Sequence, residues 1–128
     1  MQFSKWHALG NSYLVVEQPD AGVITPARVQ RLCDVGTGIG SDGVLEVIRR
    51  TAERVEIRIW NPDGSTAELS GNGTRIAARW LARRSGADTV RIRVGPREVV
   101  GRMRGDQDVE MDMGAVDVEE PERLDVGG

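Results

Sequence analysis

Residues 61–73 read Asn-Pro-Asp-Gly-Ser-Thr-Ala-Glu-Leu-Ser-Gly-Asn-Gly, and few backbone courses satisfy that run. Before it, Val55-Glu-Ile-Arg-Ile59 alternates apolar and charged residues, the period of a strand with one buried face. Asn61, Pro62 and Gly64 suit the first, second and fourth positions of a type I turn. After it, Ile76, Ala77, Trp80 and Leu81 share one helical face and Gly86 closes the helix. An Asn-Gly pair can mark a hairpin, but helical period follows Gly73, so Ser70–Gly73 is predicted to be a strand-to-helix elbow.

Elsewhere, Met1–Lys5 and Ser12–Glu17 are predicted as a strand hairpin joined by the loop His-Ala-Leu-Gly-Asn. Thr25 as N-cap and Pro26 at the first position start a helix with Val29, Leu32 and Cys33 on one face, ended by Gly36. Gly38-Ile-Gly40-Ser-Asp-Gly43 spells GxGxxG, but a helix precedes it and the strand-like Val-Leu-Glu-Val-Ile follows. A dinucleotide site needs the reverse order, so these glycines are expected to serve left-handed backbone angles and close approach to a small ligand. Thr89–Val94 and Glu98–Met103 form a second hairpin around Gly95-Pro96, and Val109–Met113 adds a strand. Residues 1–113 thus form one domain. Residues 114–128, acidic, with Pro121 and no core pattern, are expected to be a mobile acidic linker or edge segment. About seven strands and two helices in this order indicate an α+β chain rather than alternating βαβ.

Composition narrows the function classes. Cys33 is the single cysteine, which excludes an internal disulfide, a zinc site of several cysteines and a CxxC motif, and suits a reducing, cytoplasmic setting. The first residues lack a basic segment followed by an unbroken apolar run, and no apolar run reaches membrane-spanning length, so neither export nor a membrane span is expected. Residues 1–104 carry 16 basic and 11 acidic side chains, whereas residues 105–128 carry 1 and 9. The arginines are scattered and aromatics are few, so nucleic acid is not an expected partner.

A helix N-terminus offers unpaired N–H groups and the positive end of the helix dipole, so Gly71, Asn72 and Gly73 could receive a carboxylate or oxyanion. Ser70 stands at the lip, where a thiolate would gain most from the dipole and a serine hydroxyl is a far weaker acid. The plainer alternative makes Ser70 or Asn72 only an N-cap. His7, the lone histidine, reads as a structural residue beside a strand. Arg75, Arg79 and Arg83 read as a solvated helix stripe, and Trp6, Trp60 and Trp80 as core or rim packing.

The residues MQFSKWHALGNSYLVVE, GIGSDGVLEV and IRIWNPDGSTAELSGNGTRIAARWL resemble, in order and spacing, the opening blocks of the diaminopimelate epimerase family, over roughly residues 1–113. That resemblance implies an N-terminal half: a mixed, barrel-like α+β sheet wrapped around a central helix, facing a second half across the substrate cleft. It implies a cofactor-independent isomerase, without metal, PLP or nucleotide, interconverting LL- and meso-diaminopimelate for lysine and peptidoglycan synthesis. It also implies a dimer. Each half supplies a proton-transfer group to one face of the stereocentre, so this half alone is expected to be inactive. By position, Ser70 stands where the family has a catalytic cysteine. Gly71 and Asn72 would hold the substrate α-carboxylate, Asn11 and Asn61 would hydrogen-bond the substrate, and Asp42 and Gly43 would line the cleft. Ser12 replaces the aspartate usual after that asparagine. Because a serine needs an activating partner to act on a carbon acid, two alternatives stand beside the epimerase. One is a related isomerase, racemase or dehydratase of the same superfamily. The other is an amino-acid-binding module that has lost its base.

Overall fold

The computed structural model of the chain describes residues 2–36, 38–67, 70–105, 108–111 and 114–125. Among them are nine strands and two helices: β1 (Gln2–Ala8), β2 (Asn11–Glu17), α1 (Pro26–Cys33), β3 (Val44–Arg50), β4 (Arg54–Trp60), β5 (Thr66–Ala67), α2 (Gly71–Ser85), β6 (Thr89–Val94), β7 (Arg97–Arg104), β8 (Asp108–Met111) and β9 (Gly114–Asp125). The strand order is β3-β2-β1-β9-β8-β7-β6-β4-β5, and β3 also pairs with β4. The sheet therefore closes on itself, with the short β5 appended to β4, and the expected mixed barrel around a central helix is what forms.

The central helix is α2, buried without interruption from Gly73 to Ala82 and packed against β1, β3, β4, β6, β7, β8 and β9. A helix with its side chains is about 10–12 Å across, more than a ring of eight strands readily holds. Gly73, Ala77, Ala78 and Ala82 slim this one enough to fit. Every second strand residue faces it: Trp6, Tyr13, Leu45, Ile57 and Ile92 join Ile76, Trp80 and Leu81 in one core. On the outer wall α1 covers β2 and β3, with Val29 and Cys33 against Leu14, Val16 and Val44. β2 is thus covered on both faces, which is why Tyr13–Val16 is a continuous apolar run rather than an alternating one. The two parallel pairings, β2 with β3 and β4 with β6, are each bridged by a helix, α1 outside the barrel and α2 inside.

Local signals hold at the helix starts. Thr25 Oγ accepts from the Arg28 amide with Pro26 at the first position, and Gly86 closes α2 in the left-handed conformation at φ 76°. Helix α1 stops at Cys33 with Asp34 as its cap, earlier than the expected Gly36. The first hairpin turns on Leu9 and Gly10 alone, both left-handed, a tighter loop than expected.

Two expectations are corrected. Arg75 and Arg79 are buried, at 5% and 6% exposure, and only Arg83 of the supposed solvated stripe is exposed. A helix enclosed on all sides has no solvent face to give them. Arg79 reaches the Gly105 carbonyl at 3.4 Å, and burial pushes the Arg75 guanidinium below its ordinary pKa. Residues 114–125, expected as an acidic linker or edge segment, form β9, which pairs antiparallel with β1 on one side and β8 on the other. The register slips between Lys5↔Glu122 and His7↔Glu119, so Glu120 and Pro121 face a single residue of β1. A bulge of that kind is where a strand tolerates a residue without an N–H. Residues 126–128 of that segment lie outside the described residues.

Candidate active site

Strands β2 and β3 both begin, and β4 ends, at one mouth of the barrel, because Leu14 aligns with Val44 and Val44 with Trp60. Asn11 opens β2 there, Asp42 and Gly43 directly precede β3, and Asn61 directly follows β4. The short β5 then pairs back on Trp60 and Ile59, which returns the chain to the same mouth, where Ser70 caps α2. All seven predicted site residues thus lie around one opening, though they come from four separate chain segments.

The turn after β4 is braced internally. The Asn61 amide donates to the Ser65 carbonyl at 2.7 Å and its side-chain amide to Ser65 Oγ at 3.0 Å. Asp63 accepts from the Ser65 hydroxyl and amide, and these bonds, the hydroxyl's first, hold its carboxyl below the ordinary range. Gly64 is left-handed at φ 92° and presses on Pro26, where a Cβ would lie 2.8 Å from that ring. Gln30 of α1 donates to the Asp63 carbonyl at 2.5 Å, so α1 buttresses the turn that carries Asn61.

Asp42 accepts from the Ser12 amide at 2.7 Å and the Ser12 hydroxyl at 3.4 Å, which staples the loop before β3 to the start of β2. Gly43 is buried beneath the Tyr13 ring; a Cβ on it would stand 2.6 Å from Tyr13 Cε1 and 2.7 Å from the Trp60 carbonyl oxygen. The close approach this glycine permits is therefore to the protein's own wall. Gly43→Ala is expected to cost about 1–3 kcal/mol by forcing backbone and ring apart. Urea unfolding checks it, and an unchanged midpoint would contradict the contact.

Ser70 is half-buried, and its Oγ accepts from the Gly73 amide at 3.1 Å, the capping bond allowed by the plainer reading. Thr74 N–H closes on the Ser70 carbonyl at 2.9 Å. The Gly71 and Asn72 amides stand at the open end, where a helix has no internal acceptor for them. Asn11 and Asp42 are exposed on the rim, while Asn61, Gly71 and Asn72 are partly covered. Anion reception at α2 and hydrogen bonding from two asparagines across the mouth are what this arrangement can do chemically.

Sequence reasoning missed Tyr13. It lies in β2, its ring is buried, and its hydroxyl sits 3.2 Å from Ser70 Oγ. No local signal in the apolar run Tyr-Leu-Val-Val marks it; only closure of the barrel brings it to the α2 start. A cavity of about 540 Å³ also lies on the outer face of β4, beside Arg58, Arg93 and Arg97, but none of the seven residues lines it.

The family model for diaminopimelate epimerase matches residues 3–119. Over 141 aligned residues the chain is 36% identical to the diaminopimelate epimerase of Corynebacterium glutamicum (strain R), covering 98% of this chain and 51% of that protein. It is 48% identical over 83 residues to diaminopimelate epimerase 2 of Nostoc sp., covering 63% of this chain and 29% of the relative. The chain thus spans about half the length, or less, of these relatives. Among solved structures, a Pseudomonas aeruginosa protein described as a predicted epimerase superposes with a TM-score of 0.64 at 16% identity, over 88% of this chain and 43% of that one. That likeness concerns the fold alone.

Proposed function

The chain belongs to the diaminopimelate epimerase family, and from that membership we propose that it forms one face of the active site of a cofactor-independent amino-acid epimerase. The observation that carries this reading is the meeting of Asn11, Asp42–Gly43, Asn61 and the α2 N-terminus around one mouth. The α-carboxylate of the substrate, diaminopimelate in its LL and meso forms, docks on the Gly71 and Asn72 amides, where N–H groups and dipole both favour negative charge. Asn61, fixed by its turn, and Asn11, on the rim, hydrogen-bond the substrate. Ser70, at the lip, faces the α-carbon from one side.

Inverting a stereocentre by proton transfer needs one group to remove the α-proton and another to deliver one to the opposite face. The barrel presents one such face. A second half, of the length by which the relatives exceed this chain, supplies the other. Residues 1–113 and the strand that follows act as one lobe toward it, in a cytoplasmic enzyme of lysine synthesis.

The test is α-proton exchange of diaminopimelate into deuterated solvent, followed by proton NMR. The chain alone is expected to give no exchange above a Ser70→Ala control. The chain joined to the C-terminal half of the Corynebacterium relative is expected to exchange and to interconvert the two stereoisomers. Binding without exchange in the joined protein would favour an amino-acid-binding module instead.

A further inference from the structure

Ser70 and Tyr13 are 57 positions apart in the chain, yet their hydroxyls lie 3.2 Å from each other. We propose that Tyr13 is a positioning residue that makes Ser70 a proton donor toward the mouth, an inference that rests on the site reading above. Ser70 Oγ has one proton and two lone pairs. The Gly73 amide occupies one lone pair at 3.1 Å. An anion at the α2 N-terminus draws the hydroxyl proton toward itself, which leaves the second lone pair for the Tyr13 O–H.

Tyr13 is held to this task by packing. Its side chain is 9% exposed, it belongs to the core around α2, and its ring rests on the Cα of Gly43, where no Cβ fits. The phenolic oxygen therefore stays at Ser70 whether or not the mouth is filled. In the reaction, a base on the opposite face, from the second half, removes the α-proton and leaves a carbanion. The Ser70 O–H bond breaks as the carbanion's electron pair forms the new Cα–H bond. The Tyr13 proton then passes to the Ser70 oxygen, and the resulting phenolate regains a proton from water. Ser70 thus has, in Tyr13, the partner that a bare serine lacks.

The experiment places a titrating reporter at position 70 of the intact chain. In Ser70→Cys, the pKa of the introduced thiol is read from the pH dependence of iodoacetamide alkylation by mass spectrometry, with the variant that also carries Tyr13→Phe beside it. Cys33, the only native thiol, is buried and pushed up by that burial, so it serves as the slow internal control. The introduced thiol is expected to titrate below the value of about 8.5 of a free cysteine. In the Tyr13→Phe background it is expected to rise by about half a unit or more, because a donor to the thiolate is gone. Among the described residues, the titratable or charged side chains on the elements meeting at this mouth include His7, Asp42, Glu46, Arg58, Asp63 and Arg75, and none differs between the two backgrounds.

Equal titrations of the introduced thiol in two folded backgrounds would overturn the proposal. Tyr13 is the only tyrosine, so its labelled ring carbon gives a second reading that does not depend on the Phe variant folding. Its NMR signal is expected to follow the titration of the thiol at position 70, and a signal indifferent to it would equally overturn the proposal. Neither measurement needs substrate or a second half. A negative result therefore removes Tyr13 from the mechanism and leaves the epimerase reading to be judged by exchange.

Discussion

In the joined two-half protein, Ser70→Ala is expected to slow α-proton exchange about 10²–10⁴-fold, the usual span for loss of a positioned acid or base. The same substitution removes an N-cap, but that costs only about 1 kcal/mol of stability and leaves the protein folded. The two consequences separate cleanly: urea unfolding reads the cap, and exchange at saturating substrate reads the proton transfer. Ser70→Cys is expected to equal or exceed the native rate in both directions, since a thiol at a helix N-terminus ionises near neutrality. Should Ser70→Ala exchange as fast as the native chain, Ser70 is a cap and nothing more. Activity that appears only with cysteine would point to a binding module whose base has been lost.

Trp80→Ala is expected to destabilise the chain by about 3–5 kcal/mol, the cost of removing a fully buried aromatic from a core that cannot collapse around the gap. The side chain is 1% exposed and belongs to the core packed around α2. Arg84 stacks on its ring at 3.9 Å from the centroid and Arg50 approaches at 5.5 Å. Arg50 is itself tied to Glu17 at 2.6 Å. Alanine leaves a void and strips both guanidiniums of their aromatic face. Against an ordinary stability of about 5–15 kcal/mol, such a loss approaches unfolding. Trp80→Phe, which refills most of the space, is expected to lose clearly less. Chemical denaturation of the three proteins checks the order, and a loss under about 1 kcal/mol for alanine would mean that α2 is not enclosed as described.

What was legible in the sequence was what neighbouring residues decide. Thr25-Pro26, Ser70 and Gly86 mark helix ends through bonds made within a few residues, and each does so in the structure. The turn at Asn61–Gly64 and the elbow at Ser70–Gly73 were legible for the same reason. The larger misses depend on closure. Arg75 and Arg79 follow a period that predicts a solvent face, and only the ring of strands around α2 removes it. The strand β9 was hidden because Pro121 and five acidic residues argue against a strand, and the bulge opposite β1 that admits the proline is set by a partner more than a hundred positions away. Tyr13 looked like one more apolar strand residue, since nothing near it names Ser70 as its neighbour.

The pairing of β1 with β9 bears on how such a domain can be joined to others. Gln2 lies opposite Asp125, so the backbone enters and leaves the barrel side by side, at the end away from Ser70. The ring is nearly cyclic as a piece of string: a short loop between those positions, with a new opening at the exposed Gly95-Pro96 turn, would keep every strand pairing. A further lobe added after β9 would likewise leave each neighbour in the ring undisturbed, and to face the mouth its connection would climb the barrel wall, about 20 Å or six extended residues.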